Sequence, residues 1–150
     1  MVYSAAQIAV ATESFAFWKA SGLPWVSRIG MLAQEDGESS FDPKAIGDKG
    51  AAFGPFQPHQ DRVDEIEKGS GFDVKTGSHL DQLIGAYWEM KVGWYKHVWP
   101  LLMAASTLEE AVTIGVQKFE QSANQAADIA RRTALASDLA TLFPQPKTGV

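Results

Sequence analysis

The sequence contains no cysteine, no long apolar run and no recognisable leader. Without cysteine the fold has no disulfide, and thiolate chemistry and cysteine-ligated zinc are excluded. This absence fits synthesis in a reducing cytoplasm. No apolar stretch approaches the roughly 18 residues of a membrane-spanning helix, so we expect no membrane span. The first residues have no basic region followed by an apolar segment, and we therefore expect no signal peptide.

The chain also has fewer positively than negatively charged side chains. The chain has 13 Lys and Arg against 18 Asp and Glu, which gives a formal net charge of -5 at pH 7. The isoelectric point is about 5.1. Because nucleic-acid binding relies on a basic surface, we do not expect nucleic acid as a partner.

What the chain does have is a helix-rich pattern with one interruption. Its 150 residues, 45% of them hydrophobic, show no internal repeat, and we expect a single domain over residues 1–150. Five glycines and prolines between residues 41 and 57 exclude a helix there and favour a short hairpin. The predicted fold class is therefore α+β, mostly α, with about five or six helices and one small β-hairpin.

Caps and apolar stripes predict several helix boundaries. Ser4, Ser78 and Thr107 have the residue types and positions of helix N-caps. The helix that follows Ser78 is predicted to run until Pro100. Another helix ends near residues 37–40. The apolar stripe of this helix consists of Trp25, Ile29 and Leu32. Beside it, a stripe of small residues would let a neighbouring segment come close, and it consists of Gly30, Ala33 and Gly37.

Glu38 is the candidate catalytic residue. It stands at the carboxyl end of an apolar helix, just before the glycine-rich segment. The negative end of the helix dipole and burial against aromatic residues both disfavour a charged carboxyl group. A general acid needs such surroundings to keep its proton near neutral pH. Glu35 and Asp36 are interpreted as surface charges, with Glu35 as the nearest alternative acid.

The residues around Glu38 resemble the phage tail lysozyme family. The matching elements are Glu38-Ser39, Phe41-Asp42-Pro43, Gly47-Asp48 and Gly54-x-x-Gln57, followed by His59 and Arg62. Phe119-Glu120, before a helix with two arginines, resembles the family's C-terminal Phe-Glu element. The resemblance covers roughly residues 12–140. It implies a lysozyme-like fold, related to soluble lytic transglycosylases and goose-type lysozymes.

The resemblance implies a reaction and roles for individual residues. The reaction is cleavage of the β-1,4 bond between N-acetylmuramic acid and N-acetylglucosamine, by a muramidase or a lytic transglycosylase. Glu38 would be general acid and then base. Asp48 is the candidate for the second carboxyl group that a hydrolase uses, although Gly-Asp also suits a turn for conformational reasons alone. Substrate-binding roles fall on Ser39, Phe41, Gln57 and His59.

The same resemblance implies partners and a setting. Peptidoglycan glycan strands are the implied partner, and no cofactor is implied. The setting would be a phage particle, with other virion proteins as neighbours, after synthesis in the host cytoplasm and before delivery to the periplasm or cell wall. A free lysis protein that acts late in infection is the alternative.

Other interpretations of the motifs differ in strength. The glycines at 47, 50 and 54 lack the Gly-Lys-Ser/Thr ending of a phosphate loop. His59, His79 and His97 follow no metal-binding pattern, so no metal site is expected. A chitinase-like glycosidase remains open. A non-catalytic wall-binding or virion structural module also remains open. The acidic charge and the departures from the family pattern at Pro55 and Pro58 favour it, and Glu38 and Gln57 argue against it.

Overall fold

The computed structural model describes residues 2–47, 50, 52–120 and 123–147. Seven α-helices and one antiparallel pair of strands form this part of the chain. The helices are α1 (Ala5–Ala20), α2 (Trp25–Ser39), α3 (Gln60–Ser70), α4 (His79–Lys91), α5 (Val98–Ala104), α6 (Leu108–Ile114) and α7 (Gln125–Leu142), and a π-helix (Gly115–Glu120) continues directly from α6. The predicted α+β class, mostly α, is confirmed, with seven helices in place of five or six.

The small sheet is the predicted hairpin. Strand β1 (Ile46–Gly47) pairs with β2 (Ala52–Phe53), and Ile46 lies opposite Phe53. Within the described residues, no helix combines the length and the apolar character that crossing a membrane requires.

The helix starts and one helix end lie where the sequence indicated. Ser4, Ser78 and Thr107 each accept a hydrogen bond from the backbone N–H three residues later, at 3.1 Å. Helix α2 ends at Ser39, and Ser40 leaves the helix in the left-handed conformation, with φ 52°. This end falls inside the predicted range of residues 37–40 and puts Glu38 in the last turn.

The prediction of one helix from Ser78 to Pro100 is wrong. Helix α4 ends at Lys91, Val92 has a non-helical conformation, and α5 begins at Val98. Pro100 therefore lies in the first turn of α5 rather than after a helix. Backbone N–H groups of a first turn have no acceptor within the helix, so a proline there costs no hydrogen bond.

Helix α2 forms the centre of the fold, with α1, α6 and α7 packed around it. Its apolar residues Ile29 and Leu32 are fully buried. The predicted close approach at the small residues is observed. A Cβ on Gly30 would lie 2.8 Å from Cβ of Ala111 in α6, so only a glycine lets the two helices come this close. The position of the end of α2 is therefore fixed by dense packing.

A second hydrophobic cluster anchors the segment after the hairpin. Phe56 is buried there with Trp18 of α1 and Phe119 of the π-helix. Its ring meets those two rings at tilted, edge-on angles, with centroids 6.5 Å and 5.9 Å away. This anchor holds the neighbouring Gln57 and the hairpin opposite the end of α2.

Candidate active site

A polar cleft of about 590 Å³ lies between the end of α2, the hairpin and α7. Glu38 lines it from α2, and Gln57 lines it from the segment after the hairpin. Arg62 and Glu120 also line it, and α7 contributes two arginines, Arg131 and Arg132. The cleft therefore brings together distant parts of the chain and charges of both signs.

Glu38 extends into the cleft and contacts an arginine. Its side chain is 21% exposed, and Arg132 Nη2 donates a hydrogen bond to Glu38 Oε1 at 2.5 Å. Arg132 is itself buried, and its Nη1 donates to Gln34 Oε1 one turn earlier on α2. No sequence motif assigned Arg132 a role at Glu38. The two residues are 94 positions apart, so no local pattern could indicate the contact.

Gly37 makes room for this arginine. A Cβ at Gly37 would lie 2.7 Å from Arg132 Nε and 3.1 Å from Arg132 Cδ. The arginine side chain thus lies directly on the backbone of the last turn of α2. Because Gly37 has no side chain, the buried guanidinium of Arg132 can reach both Gln34 and Glu38.

Gln57 shapes the opposite wall. Its φ of 53° is in the left-handed region, which is uncommon for a residue other than glycine. Its Nε2 donates to the carbonyl oxygens of Ala45 and Gly54, at 3.2 Å and 2.8 Å. Its Oε1 lies against Gly47, where any side chain would collide with it. Gln57 therefore lines the cleft and also ties the two ends of the hairpin together.

The other predicted site residues fall into three groups. His59 is exposed, precedes α3 and lines the cleft. Ser39 and Phe41 are not among the cleft-lining residues: Ser39 Oγ donates to the carbonyl oxygen of Glu35 at 2.9 Å, and Phe41 is 3% exposed in the core around α2. Their positions fit roles in ending the helix and in packing. Asp48 lies outside the described residues.

The interpretation of Glu35 and Asp36 as surface charges is wrong, because both are buried. Glu35 accepts a hydrogen bond from Ser14 Oγ at 2.6 Å and lies 2.8 Å from His79 Nε2. The other ring nitrogen of His79 lies 2.5 Å from Glu13 Oε1. Burial disfavours the charged imidazole, but the two glutamates outweigh it and raise the pKa of His79. Glu35 does not line the cleft and is no longer an alternative acid there.

Arg62 lines the cleft and contacts a glutamate and two aromatic rings. Its Nε and Nη2 donate to the two carboxyl oxygens of Glu89 at 3.0 Å and 2.9 Å. Its guanidinium lies 4.9 Å from the ring centre of Tyr95 and 5.0 Å from that of Phe119. Burial opposes the charge on Arg62, but Glu89 outweighs it and raises the arginine pKa. Burial likewise raises the pKa of Glu89, against the effect of Arg62.

Glu120 is a second glutamate in the cleft, at the end of the π-helix. Its Oε1 is buried and has no hydrogen-bond partner among the described residues. Burial, followed by the charge of Glu38, raises the pKa of Glu120 well above its ordinary value, although Arg62 and Arg132 oppose the shift. The Phe-Glu resemblance pointed to this residue, but nothing in the sequence alone indicated its burial.

A mostly helical domain whose central helix ends in a glutamate that faces a small hairpin across a polar cleft is a lysozyme-like domain. The sequence comparison makes this more specific: the chain matches the phage tail lysozyme family over residues 9–143 and belongs to that family. Neither the curated proteins nor the solved structures contain a significant match. Membership indicates a phage-associated protein with lysozyme-like action on peptidoglycan, and thus glycosidase activity in general.

Proposed function

We propose that this protein cleaves the β-1,4 bond between N-acetylmuramic acid and N-acetylglucosamine, with Glu38 as the catalytic acid and base. The observation that carries the proposal is the position of Glu38. Of the three acidic residues near the end of α2, Glu35 and Asp36 turn into the core and Glu38 lines the cleft. A phage particle would bring the domain to the wall, which suits an acidic chain that charge does not guide there.

In the proposed reaction Glu38 first donates a proton and later accepts one. Protonated Glu38 gives its proton to the glycosidic oxygen as the bond to the muramyl C1 breaks, and C1 takes on positive charge. The resulting carboxylate then removes a proton from the group that attacks C1. Attack by water leaves a reducing end and makes the enzyme a muramidase. Attack by the 6-hydroxyl of the same sugar leaves an anhydro end and makes it a lytic transglycosylase.

Arg132 and the far wall support this role. The arginine stabilises the carboxylate that forms when Glu38 has released its proton. Before that step the glycan must displace the contact between the two side chains and exclude water from Glu38. Gln57 and His59 line the wall where sugar hydroxyl and acetamido groups would bind. Arg131, with a half-exposed side chain, is suited to the carboxylate of the muramyl group or its peptide.

Digestion of purified peptidoglycan tests the proposal. Wild type should release soluble muropeptides, and Glu38→Gln should be at least about 100-fold slower, because general acid catalysis contributes about that much or more. Glu67→Gln makes the same chemical change at an exposed position of α3, away from the cleft, and should match wild type. Mass spectrometry of the products separates anhydro ends from reducing ends.

Two results would favour the alternatives. A wild-type protein that binds the wall and releases nothing would be a binding or virion structural module, the alternative that its acidic charge and its prolines at 55 and 58 favour. Release of chitin oligomers without action on peptidoglycan would instead identify a chitinase-like glycosidase. Either outcome would contradict the proposal that Glu38 catalyses cleavage of peptidoglycan.

A further inference from the structure

The π-helix gives Glu120 an unusual position. A π-helix is rare, and single turns of this kind are frequently found at functional sites. Here the turn spans Gly115–Glu120, between α6 and the segment that leads to α7. Phe119 is completely buried in the second hydrophobic cluster, and the next side chain, Glu120, lines the cleft that Glu38 also lines.

One oxygen of the Glu120 carboxyl group is buried and unpaired within the described part of the chain, although the residue as a whole is partly exposed. Its Oε1 has no hydrogen-bond partner among the described residues. Buried polar atoms are almost always hydrogen-bonded, so each exception calls for an explanation. Oε1 is closed to solvent, and leaving it unpaired costs less in a neutral acid than in a carboxylate. The residue as a whole is partly exposed and lines the cleft, so a bound ligand can meet the carboxyl group from that side.

Each positively charged group that faces Glu120 is already bonded to another glutamate. The positive groups are Arg62 from α3, which is bonded to Glu89, and Arg132 from α7, which is bonded to Glu38. The negative groups are Glu38 from α2 and Glu89 from α4. Tyr95, between α4 and α5, is the remaining titratable neighbour. Burial and the negative neighbours outweigh the arginines, so the pKa of Glu120 is raised and the neutral acid is favoured.

We propose that Glu120 binds the glycan directly, as a neutral carboxylic acid that donates a hydrogen bond to an acetamido carbonyl oxygen of the sugar held against Glu38. The inference rests on the proposed function and adds a substrate-binding residue to it. A neutral carboxyl group has an O–H donor, whereas a carboxylate has only acceptors and would repel Glu38. An acetamido carbonyl oxygen requires a donor, and every sugar of the strand carries this group.

The proposal predicts a binding step that depends on pH. Above the pKa of Glu120 the donor is lost, so the KM for soluble peptidoglycan glycan strands should rise about tenfold per pH unit, while any fall in kcat from loss of the Glu38 proton should be shared by wild type and Glu120→Gln. Glu120→Gln keeps an N–H donor at every pH. It should cleave strands with a KM within about threefold of the low-pH wild-type value and without the rise at high pH. Glu120→Ala should raise KM at all pH values, and Glu67→Gln is the matched control.

A carboxyl-carbon NMR titration gives a readout that does not need activity. The Glu120 signal, assigned by its loss in Glu120→Gln, should titrate well above the exposed glutamates in wild type. It should titrate lower in Glu38→Gln, where the neighbouring charge is gone. Glycan strands added to Glu38→Gln should shift this signal together with the side-chain amide of Gln57.

The outcomes separate the two proposals. If wild type cleaves peptidoglycan but Glu120→Gln keeps the wild-type dependence of KM on pH, Glu120 does not bind the glycan and the proposed function stands. The same conclusion follows if the strands shift the Gln57 amide and leave the Glu120 signal unmoved. If wild type cleaves nothing while the strands still shift Glu120, the binding role holds and the proposed reaction fails. If the strands do not bind at all, both proposals fail.

Discussion

Replacing Gly37 with alanine tests how α7 holds the catalytic end of α2. The new Cβ would lie 2.7 Å from Arg132 Nε and 3.1 Å from both Cδ and Cγ. Arg132 is 2% exposed and cannot move aside into solvent without leaving Gln34 and Glu38. The substitution therefore forces a choice between an overpacked helix contact and the loss of the arginine contacts.

The expected magnitude follows from two opposing effects. Alanine is favoured over glycine within a helix by about 1 kcal/mol. Overpacking a well-filled site costs about 1–3 kcal/mol, and losing a hydrogen bond to a charged group costs about 1.5–3 kcal/mol. The net expectation is a loss of about 1 kcal/mol in the free energy of unfolding, together with lower activity because Glu38 loses its partner.

Urea unfolding of a double-mutant cycle measures this effect. If the clash with Arg132 is the cause, Gly37→Ala should destabilise wild type and should stabilise the Arg132→Ala variant by about 1 kcal/mol, the helix-propensity gain alone. The sign of the effect thus depends on whether the arginine is present. Equal destabilisation in both backgrounds, or a stabilised wild type, would refute the reasoning.

Three further predictions concern other charged groups. The pKa of His79 is raised in the folded protein, so its stabilising contribution is complete below about pH 6.5 and is lost as the pH rises through the raised value. The melting temperature of His79→Gln should therefore depend less on pH over this interval. Arg62→Met leaves Glu89 buried without its partner and should cost about 3–5 kcal/mol in urea unfolding, most of which the double variant Arg62→Met/Glu89→Leu should restore. Asp48→Asn should abolish muramidase activity if Asp48 is the second carboxylate, and full activity in peptidoglycan digestion would remove it from the mechanism.

Features that depend on neighbouring residues could be predicted from the sequence. The N-caps at Ser4, Ser78 and Thr107 act within three residues, and the hairpin follows from closely spaced glycines and prolines. The end of α2, with Glu38 in its last turn, has the same local origin. The place of the candidate acid at a helix end therefore follows from the amino-acid pattern alone.

Contacts between distant segments could not be predicted in this way. Glu35 has the spacing of a surface residue on α2, and it is buried because α1 and α4 bring Ser14 and His79 to it. The arginine at Glu38 comes from α7, which no pattern near Glu38 indicates. A proline does not always mark the end of a helix, because it can also occupy the first turn of the next one. Pro100 lies in the first turn of α5, and for that reason the predicted end of α4 was wrong.

The π-helix makes the length of the chain between α6 and α7 part of the site. A π-helix holds one more residue than the α-helical turn it replaces, and each residue turns an α-helix by about 100°. If residues 115–120 instead continued α6 as a regular α-helix with the same number of residues, the side chains at its end would be rotated by up to about 100°, so that Phe119 would leave the hydrophobic cluster and Glu120 would leave the cleft. The wider turn thus takes up one extra residue of chain while Phe119 stays in the hydrophobic cluster and Glu120 stays in the cleft.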